Sequence, residues 1–188
     1  MQEEIHDSNQ RAFQLIEIAE GMFGQISSPW RFSGVTFRDH PPHLYYFPET
    51  LSVHISLSLR VLGDSAQRDF QLAHEVCHLL YPSVDPENPI PPKATVLNEG
   101  ISTLFSILIV ESEHGDEIAG MFIESLKNNS QKYFSAFRLV IDLIKSDAHI
   151  IKNIRAIQPM INDVSIEDLI SVNAGLTKEA AKELTSIF

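Results

Sequence analysis

His74 and His78 stand four residues apart, and Glu75 follows the first of them: His74-Glu75-Val76-Cys77-His78. On a helix, residues at that spacing lie on one face, one turn above each other. Two imidazoles so placed can reach a single metal ion, and a carboxylate beside them can hold and deprotonate a water bound to it. A hydrolytic zinc site takes three protein ligands and a water. Glu99, in Val96-Leu97-Asn98-Glu99-Gly100-Ile101, is the candidate for the third. The expectation is therefore that His74, His78 and Glu99 are ligands to Zn2+ and that Glu75 is the general base.

These residues need two helices to bring them together. The run 67–80 reads as the first. Asp64 with Gln67 three residues on makes a capping-box pattern at its start, and Tyr81-Pro82 is a stop signal. Apart from the His/Glu face it is apolar (Phe70, Leu72, Ala73, Val76, Leu79, Leu80), and an apolar helix is a buried one. Buried His and Glu require partners, which a metal supplies. Glu99 opens the second helix, which extends to about Glu111, with Leu104, Phe105, Leu108 and Ile109 on its apolar face. The intervening chain is long enough for a loop and an antiparallel return, and Gly100 would let the two helices approach closely beside the ligand. Residues 82–92 carry five of the ten prolines and read as a stiff spacer that rims the cleft.

Ahead of the histidines, residues 5–23 read as a helix, and 35–37 and 44–47 as short strands separated by His40-Pro41-Pro42-His43. Leu51, Val53, Ile55, Leu57 and Leu59 then alternate with Ser52, His54, Ser56, Ser58 and Arg60, the pattern of a half-buried strand. Two readings of it stay open: a cleft wall that pairs with substrate backbone, or an internal strand. Beyond Gly115 the chain reads as five helices. One carries the stripe Phe134, Phe137, Ile141 and Ile144, another is capped by Asp147 and stopped at Pro159, and the last two start at Ser165 and Thr177.

Through His74-Glu75-Val76-Cys77-His78 and the downstream Asn98-Glu99-Gly100, the chain resembles the gluzincin metallopeptidases, whose thermolysin and aminopeptidase branches share a similar spacing. The stretch 67–81 is also similar to the small cytoplasmic zincins of the ImmA/IrrE type. The resemblance spans roughly residues 50–112. It implies an α+β fold: a zincin-like compact domain with a small sheet beside the His helix and a mostly helical C-terminal half. It also implies a zinc-dependent peptidase with a peptide or protein substrate. One departure stands out: where thermolysin-like enzymes place an acidic residue four positions after the ligand Glu, this chain has Thr103. No H-x-x-G-x-x-H continuation follows His78, which disfavours the metzincins.

The division expected is a metal-site domain over 1–115 with a helical part over 116–188 packed on it, or one domain over 1–188. Fourteen Lys and Arg against 25 Asp and Glu give a net charge of −11. That argues against nucleic acid and anionic membrane surfaces as partners. The longest apolar run, 101–110, is too short to span a bilayer. One cysteine, Cys77, and an acidic N-terminal stretch without an apolar signal core point to the cytoplasm. A tetrahedral oxyanion needs a further donor. Tyr133 and His149 are favoured, with Arg138, His114, Arg155 and Tyr81 as other candidates. Two alternatives to a peptidase remain: a zinc-containing regulator with one specific protein target or no catalysis, and a helical interaction module in which the motif is chance.

Overall fold

The structure is a computed structural model and describes residues 2–82, 84, 94–173 and 175–188. Among them caps and amphipathic periodicity set out three strands and eight α-helices: α1 (Gln2–Phe23), β1 (Arg31–Arg38), β2 (His43–Phe47), β3 (Ser52–Ser58), α2 (Ser65–Leu79), α3 (Val96–His114), α4 (Asp116–Asn129), α5 (Gln131–Ser146), α6 (Ile150–Ile157), α7 (Ile166–Val172) and α8 (Lys178–Leu184). The class is α+β, mostly helical, with one small sheet. No helix among the described residues is long and apolar enough to cross a membrane. The proline-rich run at 85–93 lies outside the described residues.

The sheet order is β1-β3-β2, with β3 parallel to β1 and antiparallel to β2. The alternating strand is thus the internal one, and its short neighbour β2 forms an edge. Val53, Ile55 and Leu57 point into the core, as the alternation requires. Leu51 and Leu59 do not continue it. Leu51 closes a 3-10 turn at φ 49, and Leu59 begins another such turn. The opposite face is less open than its serines suggest, since Ser56 and Ser58 are buried. Arg38, opposite Ser58, reaches the ring of Tyr45, opposite His54, at 4.8 Å, and so passes over Ser56 between them. Gly34 sits at an irregularity in β1 with φ +141, and the Asn9 carboxamide beside it accepts the Val35 N–H at 2.9 Å, fastening α1 to the sheet.

α3 is buried almost continuously from Leu97 to Ile107 and lies at the centre of the molecule. It packs on α2 on one side and on α4 and α5 on others. Gly100 does permit a close helix approach, but the partner is α5: a Cβ there would stand 2.6 Å from the Ala136 carbonyl and 2.6 Å from Val140 Cγ2. The buried stripe of α5 is accordingly Ala136, Phe137, Val140 and Leu143, turned from the Phe134/Phe137/Ile141/Ile144 stripe expected, because a small residue must face the α3 backbone.

The remaining helices brace this centre. The Ser165 and Asp168 capping box starts α7, and Thr177 caps α8. Residues 186–188 return to pair with 94–96: Val96 N–H donates to Ser186 O and Phe188 N–H to Ala94 O. Arg155, in α6, is 5% exposed and donates to the carbonyls of Phe23, Gly24, Gln25, Leu80 and Pro159 and to Ser27 Oγ. It ties the end of α1 to the end of α2, so it is a clamp in the core and no part of the His/Glu group.

Candidate metal centre

α2 begins at Asp64, whose carboxylate accepts the Gln67 N–H at 3.0 Å. That cap sets the helix phase, and the phase puts His74 and His78 on one side with their rings 4.8 Å apart. α3 is capped by Thr95 accepting from Asn98 N–H, which places Glu99 in its first turn, against α2. His74 Nε2 lies 3.2 Å and His78 Nε2 3.8 Å from Glu99 Oε2. The ligand atoms of His74, His78 and Glu99 all fall within 4.8 Å of one another. Two donors about 2.1 Å from a tetrahedral zinc are roughly 3.4 Å apart. The donor set, two imidazoles and a carboxylate, is also one that zinc accepts.

The hydrogen bonds behind His78 favour the tautomer that a metal ligand needs. Ser102 Oγ–H donates to the Asn98 carbonyl at 3.1 Å, so its oxygen is left to accept His78 Nδ1–H at 3.3 Å. The lone pair of His78 then sits on Nε2, facing Glu99. Ser102 supplies the orienting contact for His78. The signal for it was its spacing, three residues past Glu99 and four past Asn98, on the same side of α3. Thr103 lies fully buried, its hydroxyl without a hydrogen-bond partner, in the wall of a cavity that His74 and Glu75 also line.

Burial and charge divide the four groups. Burial lowers the His78 imidazole to about 4, so it is neutral, the form in which an imidazole can bind a metal. Burial also pulls His74 down, but its hydrogen bond to Glu99 and the charges of Glu99 and Glu75 outweigh this and raise it. Glu99 is pushed up by burial and pulled below the ordinary carboxylate range by the His74 hydrogen bond and by both imidazoles. Glu75, 4% exposed, is raised to about 7, first by burial, then by Glu99, against the opposing pull of His74. A carboxylate titrating near neutrality can both take and return a proton. Cys77 points away, bonded to the Tyr81 hydroxyl at 3.1 Å, and burial lifts its thiol to about 11.

Two cavities open on the centre. One of about 270 Å³ is walled by Pro42, Leu44, Tyr46, His78 and Glu99. A second of about 220 Å³ is lined by Phe70, Gln71, Thr103 and Leu126. His74, Glu75, Pro42 and Tyr133 belong to both. Of the donors expected from sequence, Tyr133 is here, its ring 5.9 Å from that of His74. Burial and then the charges of Glu99 and Glu75 raise its phenol to about 12, which keeps its proton available for donation. His149 is elsewhere: it stands exposed at the start of α6, whose contacts are with α1, α5 and α7. Arg138 is exposed on α5, His114 is bonded to Asp69 at 2.8 Å, and Tyr81 is buried against Cys77. The cleft wall is edge strand β2, with Leu44 and Tyr46. Of the two readings of the alternating strand, cleft wall or internal strand, β3 is internal, and it lines neither of these two cavities.

No protein-family model matches this chain, and no curated protein and no solved structure matches it.

Proposed function

We propose that the protein is a zinc-dependent peptidase, with His74, His78 and Glu99 holding the ion and Glu75 as general base. The observation that carries this reading is the convergence of three ligand atoms within 4.8 Å, beside a buried carboxylate raised to about 7, in the wall of an accessible cleft. Held by His74, His78 and Glu99, a zinc ion would supply Lewis-acid charge to a peptide carbonyl and to water. Glu75 takes the proton of the attacking water and passes it to the leaving amine. The Tyr133 hydroxyl donates to the oxyanion that develops on the carbonyl oxygen. Edge strand β2 offers main-chain groups to a substrate strand, so binding needs little sequence. The resemblance to the gluzincins agrees with the ligand set, and the substrate is a peptide or protein.

The test combines metal analysis with hydrolysis. Protein purified without chelator is expected to hold one zinc per chain, and zinc-loaded protein to cleave a mixed peptide library. Glu75→Gln should keep the zinc and lose activity by roughly 10²–10⁴-fold. Folded protein that takes up no zinc would overturn the assignment, as would equal cleavage by the wild type and Glu75→Gln.

A further inference from the structure

A third cavity, of about 690 Å³, continues the cleft. It shares Pro41, Pro42 and Gln71 with the cavity that holds Phe70 and Leu126, and that one in turn shares His74, Glu75 and Tyr133 with the cavity at the metal centre. The three form one groove between α2 and the Pro41-Pro42 turn. The α2 wall presents Glu75, Gln71 and Gln67, one helical turn apart. Glu75 to Gln67 is eight residues of helix, about 12 Å at 1.5 Å per residue. An extended chain covers that distance in three to four residues at roughly 3.3 Å each.

The groove changes character along its length. Beside the metal centre it is apolar, floored by Phe70, which stacks on Phe122 at 4.9 Å, and by Leu126. Farther out it is polar, with Gln71, Gln67 and the exposed Arg60, which has no carboxylate partner among the described residues. Gln71 is oriented: its Oε1 accepts the Ser58 N–H at 3.1 Å. Gln71 lines both outer cavities, and with its oxygen held by Ser58 its NH2 is the end of the carboxamide left to donate. Donors at this spacing suit the carbonyls of an extended main chain, whatever its side chains.

We infer that the substrate is an extended internal stretch of polypeptide, read over three to four residues on one side of the cleaved bond, with the Gln71 carboxamide donating to its main chain. An apolar side chain next to the cleaved bond enters the Phe70/Leu126 cavity. This deepens the peptidase reading and rests on it. The protein is then an endopeptidase, and short peptides that end before Gln71 are poor substrates.

The discriminating variant is Gln71→Glu. It keeps the acceptor for Ser58 N–H and removes the two donors. The probes are quenched-fluorescence random peptide libraries of two and of ten residues, given to zinc-loaded protein; a dipeptide leaves one residue, roughly 3.3 Å, on each side of the cleaved bond and stops short of Gln71. The ten-mers should be cleaved faster than the dipeptides. Gln71→Glu should lower kcat/KM on ten-mers about three- to tenfold, the effect of one hydrogen bond, and lower it less on dipeptides. Arg60→Ala should act on ten-mers alone. Equal cleavage of both lengths by the wild type, or an equal loss on both lengths in Gln71→Glu, overturns the inference. If Glu75→Gln equals the wild type on both libraries, the peptidase reading itself has failed. Fluorescence polarisation of a non-cleavable ten-mer library on zinc-loaded wild type and Gln71→Glu then decides the groove separately: weaker binding by the variant supports it, and no binding or equal binding refutes it.

Discussion

His74 and Glu99 form the pair on which the candidate metal site turns. Without a metal they share a proton, since Glu99 raises the imidazole and His74 lowers the carboxyl. A zinc ion must displace that proton. Because His74 is raised above 6.5, competition by protons begins at a higher pH than for a free imidazole and grows as pH falls. Zinc affinity should therefore drop by about tenfold per pH unit below the raised His74 value. His78, lowered to about 4, adds no competition until far more acid conditions. Titration of zinc affinity against pH checks this, and a flat profile from about pH 5 to 8 would contradict it. Glu99→Ala should remove both the third ligand and the raising of His74. It is expected to weaken zinc by several orders of magnitude while leaving α3 intact, because alanine favours helix. Circular dichroism alongside the zinc titration separates these two effects.

At the level of elements, α3 sets the positions that matter. It carries Glu99 into the face of α2, Ser102 against His78 and Gly100 against α5. A methyl group at Gly100 would collide with the Ala136 carbonyl, which is backbone and cannot rotate away. Gly100→Ala should force α3 and α5 apart at about 1–3 kcal/mol, an overpacking cost that roughly 1 kcal/mol of gained helix propensity reduces without cancelling. The expected readouts are a lower urea midpoint and weaker zinc, since Glu99 is the adjacent residue. A variant as stable as the wild type would show that the helices do not meet there. Capping, by contrast, was legible in part from residue types: the cap expected at Asp147 is not one, because α6 starts two residues later at His149 with no side-chain cap, and the Thr95 cap of α3 was missed. Asp64, Ser165 and Thr177 all serve as N-caps, because a short side-chain oxygen at a helix start finds its N–H within three residues.

The molecule as a whole has one continuous buried core, running from Ala12 in α1 through β3, α2 and α3 to Leu184 in α8. The candidate ligands hang from two helices at its centre, so zinc bridging α2 and α3 should stabilise the global fold. Binding to the folded state alone adds about 2.7 kcal/mol when zinc is a hundredfold above Kd. For a chain of this length that is roughly 5–10 °C in Tm. Removing zinc with a chelator should lower Tm by that amount, and re-addition should restore it. Glu99→Ala should show neither change. An unchanged Tm in chelated wild-type protein would mean that the ion does not couple the two helices.

The sequence by itself determined the features that obey short-range rules. His74 and His78 share a face because a helix repeats every 3.6 residues, and Val53, Ile55 and Leu57 face inward because a strand repeats every two. The starts of α2, α7 and α8 were likewise legible from their caps. The features that tertiary structure decided depended on pairing across long separations. Whether β3 was edge or centre turned on where β1 and β2 settled, and no local pattern encodes that. The partner of Gly100 was α5 instead of α2 because the small face of α5 fits the α3 backbone. Tyr133 reached the candidate metal site and His149 did not, since α5 packs on α3 while α6 turns toward α1 and α7. Two polar side chains at similar sequence distances from a motif look alike as letters. Only the packing of the helices that carry them brings one within reach of His74.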